Sequence, residues 1–431
     1  MNPSIQWSAV SARRQMDGGS LTPTELLAAY LERIERRDPS VKAWRHLDVG
    51  QATATAERAE QSKTRGRLWG IPVAIKDIVD TADMPTGYGS GIYANHRPVA
   101  DAACVARIRD AGGIILGKTV STEFAYFQPG PTLNPHALQH TPGGSSSGSA
   151  AAVADRMVPL AIGTQTAGSV TRPAAYCGVL GYKSSHGLFS LAGIKTFTQS
   201  FDSLGLFARH TADLALLTDV ILGSEVGAAA PTAPPVIGVC RIPGAAAIDE
   251  PSERLLGSFV TALATAGAKT VELEFPRDFV ELAELHKLVM AYEATRNYSF
   301  ELLAHRPELS AALQALLDGG ARVRFDDYCA ARRRIRGWGP FVQGLFATYD
   351  VLLAPSAPGV APLATSGTGD PWHSRIWTAL GLPSVSAPIG ANLAGLPIGA
   401  QLIGAHLDDG RLLTTVQWVE NAGLIDVRSP G

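Results

Sequence analysis

The chain has 431 residues, 46% of them hydrophobic and 18% charged, with a formal net charge of −2. That balance fits a soluble globular protein with material for a deep core, and it gives no broad basic field for nucleic acid or an anionic membrane. Residues Met1 to Arg14 have no apolar core of signal-peptide type, and no stretch approaches the roughly 18 consecutive apolar residues of a membrane span, so the expected location is cytoplasmic.

In chain order, Thr22-Pro23-Thr24-Glu25 combines a capping threonine, proline at the first helical position and an acid at the third, which predicts a helix through Leu26, Ala29, Tyr30 and Ile34. Gly70 to Asp80 places Ile71, Val73, Ile75 and Val79 on one period-two face and Ala74 and Ile78 on the other, predicting a strand that is apolar on both sides with Lys76 in its middle. Ala102 to Ala111 has helical spacing, Gly112-Gly113 ends it, and Ile114-Ile115-Leu116 reads as a strand. This alternation is that of a layered α/β sheet.

Val226 to Pro235, with Ala228-Ala229-Ala230-Pro231, reads as a loop before a strand over Val236 to Val239. A helix over Arg254 to Ala266 and a strand over Thr270 to Leu273 follow. Asp278 to Trp338 is mostly helical, and strand character returns at Val351 to Pro355 and Gly399 to Ile403.

Two patterns match a motif by letter and fail by context. Gly112 to Thr119 satisfies the phosphate-loop spacing, but Ile114, Ile115 and Leu116 belong in a buried strand, and a helix precedes them where the motif needs a strand. Gly144-Ser145-Ser146-Ser147-Gly148 satisfies the nucleophile-elbow spacing, yet Asn134 to Pro142 is not the apolar strand that an elbow requires. The histidines that would complete such a triad, His186, His210, His286, His305, His373 and His406, sit in no distinctive motif. The basic run Arg332-Arg333-Arg334 reads as a solvated helix face. Cys104, Cys177, Cys240 and Cys329 are far apart and form no metal or redox spacing, so they read as small apolar side chains. No cofactor or metal is expected.

A serine hydroxyl needs a positioned base before it can attack a carbonyl. With Ser169 as nucleophile, the small residues before it and a helix opening over Val170 to Cys177 would converge consecutive N–H groups beside its hydroxyl, as an oxyanion hole requires. Lys76, set among Ile71 to Ile75, is a candidate base, since burial disfavours its charged form, although the pattern alone favours a lysine paired with Asp77 or reaching out to solvent.

Three separated segments then resemble, in order and spacing, the defining motifs of the amidase signature family: Gly70 to Asp77, the glycine- and serine-rich Gly143 to Ser149, and Gly163-Thr164-Gln165-Thr166-Ala167-Gly168-Ser169. The resemblance continues through Arg172 to Gly178, Gly181-Tyr182-Lys183, Asp350 to Pro358 and Gly395 to Gln401, and so covers most of the chain. It implies an α/β fold with a large mixed central β-sheet flanked by helices on both faces. It also implies a single domain over 1–431, with a core motif region at about 70–200 and helical and α/β additions at about 236–345.

The same resemblance implies a Ser–cis-Ser–Lys triad of Ser169, Ser145 and Lys76, with Ser145 following a cis peptide bond from Gly144. Thr166, Ala167 and Gly168 would form the oxyanion hole, and Ser146 would support the loop at the substrate. Ala167 and Ser147 stand where many members have glycine, but no reacting group is lost. The nearest branch is malonamidase-like, in which an arginine three residues after the nucleophile reads a substrate carboxylate; Arg172 holds that position.

Against a small acidic substrate stand Tyr88, Phe124, Tyr126, Phe127, Met290 and Trp377, which would suit an anilide, aryl ester or carbamate if they face the site. The expected activity is hydrolysis of a small-molecule amide, alone or as a homodimer, with no nucleic acid or membrane partner. Two rivals are the transamidating subunit of a tRNA-dependent amidotransferase and an inactive binding protein on the same fold.

Overall fold

The computed structural model describes residues 3–226 and 233–430. Ala228 to Pro231, in the expected loop, lies outside the described residues. Eleven strands among the described residues form one sheet. They are β1 (Trp44–Leu47), β2 (Pro72–Lys76), β3 (Ile114–Thr119), β4 (Leu160–Gln165), β5 (Leu180–Lys183), β6 (Ser203–Ala208), β7 (Val236–Arg241), β8 (Lys269–Glu274), β9 (Val351–Pro355), β10 (Ser384–Ala391) and β11 (Pro397–Ile403). Their spatial order is β1-β3-β2-β4-β6-β5-β10-β11-β9-β7-β8. β2 runs parallel to β3 and β4, and β7 runs parallel to β8 and β9. The remaining pairs are antiparallel, so the sheet is mixed.

Both faces of this sheet are covered. Val73 and Ile75 of β2 join Leu160 and Ile162 of β4 in one apolar cluster, while Ala74 joins Ala161 and Leu116 in a second on the opposite face. The second face takes the helix Ser147–Ala154, whose eight residues are all buried. Small side chains let that helix approach closely: a Cβ on Gly148 would fall on the Ala43 carbonyl and the Val120 N–H.

The helix expected after Thr22 spans Pro23–Val41 with both halves of its capping box formed. The expected helix at Arg254 begins earlier, at Glu250, because the Asp249 carboxylate accepts the Ser252 N–H and caps it. Lys76 is the last residue of β2, not the middle of a longer strand. The chain turns at once after it, with the N–H groups of Ile78 and Val79 both donating to the Lys76 carbonyl at 2.8 and 3.0 Å. The phosphate-loop reading fails as expected, since buried Lys118 ends β3's apolar run by donating to the Val79 carbonyl and Thr86 Oγ1, each at 2.6 Å.

Helices from Leu282 to Phe346 pack beside the sheet. Arg332 pairs with Glu293 and Arg334 with Asp278 and Glu281, so these two members of the basic run are bound within the protein.

Candidate active site

Adjacent parallel strands place their carboxyl ends side by side, and a crevice outside such ends is where open α/β sheets form sites. β2 and β4 are such a pair, in register through Ile75 and Ile162. β2 ends on Lys76, and β4 runs out through Gln165 into the turn that carries Ser169. Lys76 has no exposed surface, and its Nζ donates to Ser145 Oγ at 2.7 Å and to Thr164 Oγ1 at 2.8 Å. Burial pushes its pKa well below the ordinary lysine value, partly opposed by the nearby Asp202 carboxylate.

Ser145 follows a cis peptide bond from Gly144. Its loop is tied down on several sides: Arg172 Nη2 donates to the Gly144 carbonyl at 2.6 Å, Thr122 N–H to the Ser145 carbonyl at 3.3 Å, and Ser146 N–H to the Ser169 carbonyl at 3.4 Å. Ser169 sits between β4 and the helix Thr171–Cys177. Gln165 Oε1 accepts the N–H groups of Val170 and Thr171 at 2.8 and 3.0 Å, so its side chain caps the start of that helix and fixes the turn.

Ser145, Ser169, Thr166, Ala167, Gly168 and Arg172 line one narrow cavity of about 20 Å³. It is walled by Tyr126, Phe127, Phe197 and Met290, and Phe127, Thr368 and Pro371 also border an open groove of about 690 Å³.

The Amidase family profile matches residues 25–413. A glutamyl-tRNA(Gln) amidotransferase subunit from Roseiflexus castenholzii (strain DSM 13941 / HLO8) is 32% identical over 485 residues, covering 96% of this chain and 95% of its own. The corresponding protein from Synechococcus sp. (strain CC9605) is 30% identical, covering 97% and 96%. Among solved structures, the native peptide amidase from Stenotrophomonas maltophilia superposes with a TM-score of 0.85 at 28% identity, covering 98% of each chain.

The chain belongs to the amidase signature family. It is therefore an α/β enzyme of a family of hydrolases acting on C–N bonds, as the sequence motifs implied.

Other expected residues of this amidase fall into place or out of it. Ser146 supports the loop by hydrogen bonds, as expected, but does not line the cavity: its Oγ donates to the Thr164 carbonyl at 3.2 Å and accepts the Thr164 N–H at 3.3 Å. Of the aromatic and methionine candidates, Tyr126, Phe127 and Met290 line the cavity. Tyr88, Phe124 and Trp377 are buried in the core cluster instead. Trp377 packs against Phe275 and Phe279. Arg172 does not pair with a carboxylate of the protein among the described residues, and its buried Nε and Nη1 have no partner. Burial pulls its pKa down to about 10, which leaves it charged at neutral pH.

The sequence missed several groups. Thr164 shares Lys76 Nζ with Ser145. Asp202, at the turn into β6, accepts Thr166 Oγ1 at 2.6 Å and the Phe197 N–H at 2.7 Å, and burial raises its pKa to about 6. Thr164 and Gln165 stand inside one of the three family motifs, but nothing in that motif by itself marks them as partners of Lys76 or of the helix after Ser169. Asp202, Phe197, Thr368 and Pro371 carry no local signal, because they arrive from elements far away in the chain.

Proposed function

We propose that this amidase hydrolyses a small amide bearing a carboxylate, through an acyl-enzyme on Ser169. Lys76, whose burial favours the neutral amine, takes the proton of Ser145 as Ser145 takes that of Ser169, and Ser169 Oγ attacks the amide carbon. The tetrahedral oxyanion is held by N–H groups of Thr166, Ala167 and Gly168. The relay returns the proton to the departing nitrogen, the C–N bond breaks, and water then cleaves the acyl-enzyme by the same route. The 2.7 Å contact from Lys76 Nζ to Ser145 Oγ and the shared cavity of both serines support this relay. The single sheet that holds all of β1 to β11, with β1 and β8 at its edges, supports reading the chain as one domain.

The observation that carries the substrate class is Arg172: 3% exposed, charged, at the cavity, with two guanidinium nitrogens unpartnered. A carboxylate on the acyl side would meet this buried positive charge and accept a charge-assisted hydrogen bond from one of the two, which supports the malonamidase-like branch. The narrow cavity suits a short acyl group, and the open groove beside it suits a larger leaving amine.

The test is a hydrolysis screen of malonamate, simple neutral amides, anilides and aryl carbamates, with Ser169→Ala as control. Because Arg172 Nη2 also holds the Gly144 carbonyl, Arg172→Ala lowers turnover on every substrate. The carboxylate reading predicts an additional loss of roughly 10-fold to 100-fold on malonamate over neutral amides, as expected for a lost charged hydrogen bond. Equal losses would sink it.

A second reading, a transamidating subunit, is favoured by the names of the relatives at 30% and 32% identity. It predicts that the chain purified alone turns over none of these amides. Robust hydrolysis by the isolated chain would exclude it.

A further inference from the structure

In a trans peptide unit the C=O and the following N–H point in opposite directions. An N–H can therefore be aimed by whatever grips the carbonyl of the same unit. Two side chains from distant parts of the chain do this at the oxyanion turn. His286, on the helix Leu282–Asn297, lies 2.8 Å from the Thr166 carbonyl through Nε2. Thr378, on the helix Trp372–Ala379, donates from Oγ1 to the Ala167 carbonyl at 2.9 Å.

The state of His286 follows from its other neighbour. Arg375 Nη1 lies 3.1 Å from His286 Nδ1, and a guanidinium can only donate. Nδ1 therefore accepts, and the ring proton sits on Nε2, where it is donated to Thr166. Burial, reinforced by the Arg375 charge, lowers the His286 pKa to about 3, so the ring stays neutral near neutral pH. The Phe201 ring stacks on it with centroids 4.4 Å apart and holds its plane.

Thr378 is similarly constrained. It accepts Gln165 Nε2 at 3.0 Å, and its single proton is shared between the carbonyls of Ala167 and Ser374, each at 2.9 Å. Gln165 is the residue that caps the helix after Ser169, so Thr378 joins the cap to the turn. The next carbonyl, that of Gly168, already accepts the Arg172 N–H at 3.1 Å within the chain's own turn.

We propose that His286 and Thr378 are positioning residues for acyl transfer: by holding the carbonyls of Thr166 and Ala167 away from the cavity, they aim the N–H groups of Ala167 and Gly168 at the oxyanion. Arg375 acts one step further back, fixing the His286 tautomer. This assignment rests on the acyl-enzyme reading of Ser169. It gives the helix Trp372–Ala379 a task in the transition state, although neither His286 nor Thr378 lines the cavity itself.

The decisive variant is Thr378→Val, which keeps the shape and removes the hydroxyl, beside Thr378→Ser, which restores it. His286→Phe removes the second donor and keeps a stacked ring, and His286→Gln returns an amide N–H. Each is assayed for kcat and KM on the best substrate, for melting temperature, and for binding of an aldehyde analogue of the acyl group, whose adduct with Ser169 Oγ places an oxygen at the oxyanion position. The expected result is a kcat loss on the order of 10-fold to 100-fold for Thr378→Val and His286→Phe, below the ceiling for deleting a donor outright. KM stays within about two-fold, aldehyde affinity falls by the same factor as kcat, and Thr378→Ser and His286→Gln recover most of both. Folded Thr378→Val protein with wild-type kcat and aldehyde affinity, or a loss confined to KM or to the folded fraction, overturns the assignment. If Ser169→Ala kept full turnover, the acyl-enzyme reading itself would fall, which is a separate outcome.

Discussion

A lysine without access to water, 2.7 Å from one serine hydroxyl and 2.8 Å from a threonine, holds a proton poorly. With its folded pKa lowered by burial, Lys76 gives up its proton far more readily than an ordinary lysine, and it loses its capacity as a base as pH falls through its folded value. The rate should therefore show an acid limb well below the ordinary lysine range. Asp202 raises the Lys76 pKa, so Asp202→Asn is expected to move that limb of kcat/KM to lower pH. A limb unmoved by Asp202→Asn would separate Asp202 from the lysine. For stability the sign is the reverse of a stabilising pair: between the folded and unfolded values of Lys76 the unfolded chain binds more protons, so stability rises with pH through that window. Lys76→Met removes this dependence and all but residual turnover, and denaturant midpoints across pH together with kcat measure both effects.

At the scale of elements, the turn between β4 and the helix Thr171–Cys177 depends on one side chain. Gln165→Ala removes the acceptor of two helix-terminal N–H groups and the donor to Thr378. It is expected to destabilise the fold by about 1–2 kcal/mol, as for a lost cap, and to lower kcat by disordering the Ser169 turn. Unchanged urea midpoint and kcat would contradict this. How much of the site was legible follows from the same geometry. Lys76, Ser145, Ser169 and Arg172 lie in segments whose composition is constrained by close backbone approach, so their spacing shows in the sequence. Asp202, His286, Thr378 and Thr368 meet the site only through the sheet order and the helical additions, which no local pattern encodes. The strands tell the same story. β2, β3, β7 and β9 announce themselves by apolar runs, whereas β5 has four residues and β6 begins with a serine and contains Gly205, so neither shows a period to read. The misplaced centre of β2 arose because Ile78 and Val79 continue the apolar alternation after the chain has already turned.

Across the whole molecule, one sheet carries both apolar clusters, and the chain's beginning is tied to it by buried charges. The Asp213 carboxylate accepts the N–H groups of Ala9 and Val10, each at 2.9 Å, and Arg209 Nη2 donates to the carbonyls of Ile5 and Trp7, each at 3.1 Å. Asp213→Ala should leave the helix Ala9–Asp17 without its anchor, cost about 1–3 kcal/mol through the unsatisfied N–H groups, and open that helix to limited proteolysis while amide turnover persists. A digestion pattern identical to the unsubstituted chain's would refute that anchoring. The central claim, that Ser169 rather than Ser145 carries the acyl group, has a direct physical handle, because Arg156 lies between the two serines and trypsin places them on separate peptides, 119–156 and 157–183. Mixing the protein with a slowly deacylating p-nitrophenyl ester, quenching in acid and mapping tryptic masses should find the acyl increment on 157–183, absent in Ser169→Ala. An increment on 119–156, or on 157–183 undiminished in Ser169→Ala, would contradict the account.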